Sequence, residues 1–420
     1  MNLGLLGFDD SIATIVAAGH RSGDRVVMAC DLPATAPLLT QGGVPPRAVP
    51  WESLLDTEGC DAVLVGADGW NETRAEAVRK LVQAGRTLVL SHPLEMSMLW
   101  AYELDMIRRD SGAILIPVLP DRLHPFIHRL RLWIDSQSVP GGVESIGMER
   151  RLRDRSRESV QSHFCRDADL VRELAGAPVR LSTLGAADAD QAWSTLAVGL
   201  TAPGHPPVRW QVVRSESPGL TITATAASGS VSIGIPADPP AGESSLWSWT
   251  GPGAPDTQTP FDGGAAILAR LRMAVSPGHQ TDVDQSLTLP LCASWDDAAR
   301  GIELAETISR SLAKGRGIDL HQEEFTEIGT FKGTMASLGC GIILLALMFV
   351  VLATLLGGIA RQTRWEFGEQ LAGLWPGVVL GALSLFLLLQ TLPLLIGSRS
   401  ESPPAISPPP SPTPPPSKRA

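Results

Sequence analysis

The stretch "DAVLVGADGWNETRAEAVRKLVQAGRTLVLSHPLEMS", residues 61–97, decides how the first part of the chain is read. A short apolar run, "AVLV", leads into the helical pattern "NETRAEAVRKLVQAG" and then into a second apolar run, "TLVLS". Outward from it, "NLGLLGF", "RVVMACD" and "AILIPVLP" add further runs of the same kind. Short apolar strands alternating with helices imply a parallel sheet built from right-handed crossovers. Residues 1–120 are therefore expected to form a doubly wound α/β domain.

From about residue 140 the pattern changes. "PVRWQVVRS", "LTITATAAS" and "SVSIGIP" alternate apolar and polar positions, as strands solvated on one face do. Residues 121–325 are expected to be a second α/β domain with a large, mostly antiparallel sheet. The Pro/Gly-rich run 235–263 reads as a long surface loop with strand-like "SLWSW" inside it. The helix "SWDDAARGIELAETISRSLAKG" should close the domain, with Ser294 as N-cap, Asp297 completing a capping-box arrangement and Gly315 as C-cap.

The chain has 420 residues and a formal net charge of -10, an acidic balance that argues against a nucleic-acid partner. Five cysteines (Cys30, Cys60, Cys165, Cys292, Cys340) lack C-x-x-C spacing, so neither a disulfide framework nor a zinc site is indicated. His124 and His128 are four apart, as helical metal ligands can be, but no third ligand is suggested and no metal is expected. "MNLGLLGF" has no secretory pattern, so the large N-terminal part is expected to be cytoplasmic. No charge falls between Lys332 and Arg361, or between Glu369 and Arg399. Each run exceeds the roughly 20 apolar residues that span a bilayer, giving expected transmembrane helices at 336–359 and 371–396. Gly373, Gly377 and Gly381 lie at intervals of four and would let another helix approach, in this chain or in a second copy. The Pro/Ser-rich tail 400–420 is expected to be disordered.

A strand that leads through glycine into a helix can bind a dinucleotide, because bare backbone and the helix N-terminus accommodate a pyrophosphate. In "GLLGFDDSI", Gly7 takes the first position of G-x-G-x-x-G, but Asp9 and Ile12 take the second and third. A carboxylate there would repel a phosphate, and Ile12 would crowd the helix against its strand. Asp31, about 20 residues after the glycine, ends the second apolar run where an acid can bond the ribose of NAD, or simply cap a turn.

Residues 61–97 as a whole resemble the segment of the glucose-fructose oxidoreductase and inositol dehydrogenase (Gfo/Idh/MocA) family that runs from Thr-Pro-Asn through Ala-Gly-Lys to Glu-Lys-Pro. Ala84, Gly85 and Pro93 match it. Counting back from them puts Asn71 at the family's asparagine beside the nicotinamide ribose; counting forward from Asp61 puts Gly69 there. "PDRLHPFIHRLRLWI" retains Arg122 and Pro125 of a further family segment, and "RDADLVRELAGAPV" retains Asp169 and Leu170 of its His-x-x-Asp-Leu helix. The similarity extends over roughly residues 1–320. It implies a Rossmann-like domain and a large-sheet domain, NAD or NADP held by Gly7, Asp31, Asn71 and Pro93, hydride exchange with a sugar or polyol, and homo-oligomers formed through the sheet.

The resemblance also shows what is missing. Where the family carries its catalytic lysine this chain has His92, preceded by Ser91 in place of the glutamate. The helical Asp-x-x-x-His positions hold Ser162 and Arg166, and His163 lies one residue from the first. Arginine stays protonated and cannot accept a proton; a histidine can. Arg151, Arg153, Arg155 and Arg157 alternate and would share one strand face, solvated or facing an anionic ligand. Three readings follow: a membrane-anchored, catalytically degenerate nucleotide-binding sensor or scaffold (a pseudoenzyme); an active oxidoreductase using His92; or a structural membrane protein that binds no nucleotide.

Overall fold

The computed structural model describes residues 1–32, 45–135, 142–186, 193–237, 240–251, 254–275 and 292–320, with isolated helical positions at 348, 352, 355 and 362. Met1–Gln322 is one compact unit containing both sheets. The expected membrane spans, the glycines within the second and the tail lie outside the described residues, those isolated positions apart. Among the described residues no helix is long and apolar enough to cross a membrane.

The first sheet is wholly parallel. Its strands are β1 (Asn2–Leu6), β2 (Arg25–Cys30), β3 (Arg47–Ala48), β4 (Ala62–Val65), β5 (Leu88–Leu90) and β6 (Leu115–Pro117), in the order β3-β2-β1-β4-β5-β6. Helix α1 (Asp10–Arg21) follows β1, α2 (Glu72–Gln83) follows β4, and α3 (Met98–Ser111) follows β5. This is the dinucleotide-binding strand order, in which the switch point lies between β1 and β4. β4 and β5 are buried at every position, which explains why they read as continuous apolar runs.

After α4 (Pro125–Asp135), strand β7 (Val143–Leu152) enters a nine-stranded mixed sheet. The others are β8 (Arg180–Leu184), β9 (Ala197–Thr201), β10 (Val208–Arg214), β11 (Gly219–Ala226), β12 (Gly229–Pro236), β13 (Ser245–Gly251), β14 (Ala254–Phe261) and β15 (Ile318–Asp319). Only β7 and β10 pair in parallel; the remaining ladders are antiparallel. One face buries Ile146, Met148, Trp210, Ile222, Ile233 and Trp247 together with α5 (Arg157–Ala175) and α7 (Trp295–Lys314). The alternate positions, among them Ser145, Thr221, Thr223, Thr225 and Ser232, stay half-buried or exposed.

Two expectations need correction. The run 235–263 is not a long loop: β13 and β14 form a hairpin there, because Trp247 and Trp249 alternate into the core and supply apolar surface that Pro/Gly content hides. The four arginines from 151 to 157 do not share a strand face, because β7 ends at Leu152 and Arg157 opens α5. Arg153 instead bonds the Glu216 carbonyl, and Arg155 that of Ser194. The closing helix α7 does begin with the capping box of Ser294 and Asp297 and end on left-handed Gly315.

Helix α6 (Gly263–Val275) returns from the second sheet to pack on α1, burying Ile267, Leu268 and Leu271 against Ile12, Ile15 and Val16. The approach is close: a Cβ on Gly264 would lie 2.4 Å from the Thr14 carbonyl oxygen. Gly264→Ala must push the two helices apart, at a cost of about 1–3 kcal/mol. The expected outcome is a lower urea midpoint with an unchanged slope; an unaltered midpoint would show that this contact does not hold α6 in place.

Candidate nucleotide-binding site

At the end of β1 the chain turns through Gly7, at φ 70°, into Phe8 and Asp9. Asp9 is the N-cap of α1: one carboxylate oxygen accepts from the Ile12 amide at 2.8 Å, and the other accepts from the Ala67 amide at 2.6 Å. Such a cap stabilises a helix by about 0.5–2 kcal/mol, and its negative charge sits favourably against the positive end of the helix dipole. The carboxylate thus occupies two backbone donors at the switch point of the sheet. Ile12 is fully buried, and Gly66 is pressed so close to the Phe8 backbone that a Cβ there would lie within 2.5 Å of it.

Arg74 closes the same region from the other side. It lies on α2, and its buried guanidinium reaches back to Gly7 in the β1–α1 turn. Nε and Nη2 donate to Asp31 at 2.9 and 2.5 Å, and Nη1 donates to the Gly66 and Asp68 carbonyls at 3.0 and 2.6 Å. A Cβ on Gly7 would meet that Nη1 at 2.5 Å. Gly7 therefore admits an arginine of the protein itself at the close approach where the motif would admit a ligand. Asp31, at φ 54° in the left-handed region that aspartate tolerates, keeps half of its side chain exposed.

Asp31 and Asn71 come together in a cavity of about 270 Å³, lined also by Leu6, Trp51, Thr73 and Arg74. Asn71 is the N-cap of α2, accepting from the Arg74 amide at 3.0 Å and donating to the Gly69 carbonyl at 3.1 Å. His92 and Pro93 are joined by a cis peptide at the end of β5 and are not among the residues lining this cavity. His92 is buried against α5, its Nε2 at 3.2 Å from the Cys165 thiol, where Gly301 lets α7 pass close by. Burial, reinforced by the Arg166 charge, lowers its pKa from the ordinary 6.5 to about 3. The same burial raises that of Cys165 far above the usual thiol value, so the two groups face each other uncharged.

Arg166, at the histidine position of the resemblance, lines a cavity of about 310 Å³ with Asp10, Ser11, Thr14, Asp121 and Ser245. It also lines a smaller one of about 60 Å³ with Arg150 and His163. Arg150 is committed to Asp167 through Nε at 2.9 Å and through Nη2, and Trp210 Nε1 donates to that carboxylate as well. His163 Nδ1 donates to the Ser159 carbonyl at 2.8 Å, and burial and Arg150 lower its pKa. His124 is stacked flat on Trp247, centroids 4.0 Å apart, and burial lowers its pKa to about 4; His128 points outward from α4. Among the described residues no group of three or more His, Cys, Asp or Glu side chains is placed to hold a metal.

Sequence reasoning reached Asp9, Asp31 and Asn71 but missed Arg74, Asp121 and Ser245. One signal for Arg74 was present: it falls on the same helical face as Val78 and Leu81, all buried. A charged residue in an apolar stripe needs buried partners.

No family model matches the chain, and no curated protein does. Solved structures do resemble its fold. A putative myo-inositol dehydrogenase from Sinorhizobium meliloti aligns over 76% of this chain and 100% of its own, at 19% identity and a TM-score of 0.57. GenD2 from gentamicin A biosynthesis, solved in complex with NAD, aligns over 76% and 97% at 16% identity and a TM-score of 0.57. KijD10, a 3-ketoreductase from Actinomadura kijaniata solved with NADP, aligns over 74% and 97% at 15% identity and a TM-score of 0.55. At such identities the likeness is one of fold: the chain has the two-sheet architecture of these proteins, two of which were solved with NAD or NADP.

As arranged here, the residues do not fit a pyrophosphate on α1, since Asp9 holds the Ile12 and Ala67 amides and Arg74 fills the space above Gly7. The cavity of about 270 Å³ beside Asp31 and Asn71 lies next to that filled turn.

His92 and His124 set a pH dependence of stability. Both pKa values are depressed in the folded state, so the unfolded chain binds the extra protons as pH falls below about 6.5. Stability is complete above that value and lost toward pH 4. At pH 5.5 the expected loss is about 1 kcal/mol per histidine relative to pH 7.5, read by urea unfolding at the two pH values. His124→Phe, which keeps a flat ring against Trp247, should remove one share of it; an equal loss in that variant would contradict the assignment.

Proposed function

We propose that the chain is a nucleotide-binding protein of the NAD(P) class, built on a dehydrogenase fold, that no longer transfers hydride and acts as a sensor or scaffold at a membrane. The observation that carries this reading is the burial of His92. A general base must reach the proton it takes and have a pKa near working pH. His92 is 8% exposed, engaged with Cys165 and depressed to about 3. Arg166 cannot accept a proton, and Ser162 has no charge to offer.

Support for the nucleotide class is the parallel sheet, with Asp31 and Asn71 on one cavity. Support for anchoring at 336–359 and 371–396 comes from those charge-free apolar runs, and a cytoplasmic N-terminal part is proposed with it. A homo-oligomer formed through the open polar face of the nine-stranded sheet belongs to the same proposal. A second reading, an active oxidoreductase on a sugar or polyol, is favoured by the 310 Å³ cavity, whose Ser11, Thr14, Asp121 and Ser245 suit hydroxyl groups.

The full chain, purified in detergent, should bind adenosine by heat, and NADH or NADPH more weakly by fluorescence, yet show no change in cofactor absorbance with a panel of sugars and polyols. Turnover that disappears in His92→Ala would overturn the proposal in favour of the enzyme. An absence of binding of adenosine and of either cofactor at millimolar concentration would overturn both.

A further inference from the structure

We infer that Asp9 and Arg74 form an internal plug that takes the place of a nucleotide's phosphates, so that the site admits the adenosine half of its ligand and resists the phosphorylated half. The inference rests on the nucleotide-binding reading above and names how that site is regulated. Two independent sets of contacts support it. Asp9 places one carboxylate oxygen on each of two backbone amides, Ile12 and Ala67, at 2.8 and 2.6 Å. A phosphate oxygen would seek the same donors at the helix N-terminus, so the carboxylate competes by position and by charge. Arg74, held by Asp31, Gly66 and Asp68, occupies the bare approach that Gly7 provides.

The consequence is a split site. The cavity beside Trp51, Asn71 and Thr73 is open, with half of the Asp31 side chain facing solvent, while the phosphate cradle is filled. A phosphorylated ligand must displace the Asp9 carboxylate from both amides, leaving a charge near its own. A bare nucleoside need not.

Asp9→Gly separates these cases, because glycine is itself an accepted N-cap and weakens a helix start only slightly. Isothermal titration of the full chain in detergent would compare adenosine with ADP-ribose, for the unaltered protein and for Asp9→Gly. The variant is expected to bind ADP-ribose at least tenfold more tightly than the unaltered protein, with adenosine affinity unchanged within twofold. Asp9→Asn removes the charge while keeping a capping oxygen, and should shift in the same direction by a smaller factor if Asp9→Gly does not fold. Equal ADP-ribose affinity in all forms, alongside measurable adenosine binding, would overturn the plug and leave the nucleotide reading standing. Failure of every form to bind either ligand at millimolar concentration would overturn both.

Discussion

The buried guanidinium of Arg122 holds the two sheets to each other. It lies in the 3-10 turn Pro120–Leu123 after β6 and donates to both oxygens of Asp169 on α5, at 2.5 and 3.1 Å, and to Asp297 in the first turn of α7, at 3.3 Å. Glu173 and Arg172 extend the network, Arg172 reaching Asp297 at 3.0 Å. A guanidinium that is 6% exposed tolerates burial only while such acceptors surround it. Removing one partner of a buried pair strands the other charge, at about 3–5 kcal/mol. Three elements far apart in sequence are thereby fixed at one point, and the 310 Å³ cavity lined by Asp10, Asp121 and Arg166 draws its walls from both sides of it.

What matches the resemblance and what departs from it divide along this line. Arg122 and Asp169 are among the residues matched by the resemblance, and the structure gives them a shared role in joining the sheets. The altered positions (Asp9, Ile12, His92, Ser162, Arg166) are those at which the resemblance implies a held or reacting ligand. The joint between the sheets and the positions that depart from the resemblance draw on different side chains, so one can stand without the other.

Legibility followed the range of the forces involved. The parallel sheet showed in its apolar runs because β4 and β5 are buried on both faces, and α7 showed in its caps because Ser294 and Asp297 act within one turn. The β13–β14 hairpin was hidden, since its inward tryptophans are outnumbered locally by glycine and proline. The orientation of His92 was also beyond local reading. Whether a residue at a strand end faces a cleft or a core is decided by what packs over it, and here that is Cys165 and the helix carrying Gly301. Asp9 announced a conflict with phosphate, but its resolution needed Ala67 and Arg74, dozens of residues away.

The cap on α1 also has a meaning at the level of the gene. Either aspartate codon becomes a glycine codon when only its middle base changes, and glycine would keep the extended backbone of Asp9 at φ -165° without strain. The filled cradle and an empty one are thus adjacent in sequence space, one base apart and joined by a path on which the helix start survives. Ile12 is different: it is embedded among Leu3, Val16 and Leu268, and its replacement by glycine would open a void in the core. Toward a phosphate-binding loop the first step is short, and the second is steep.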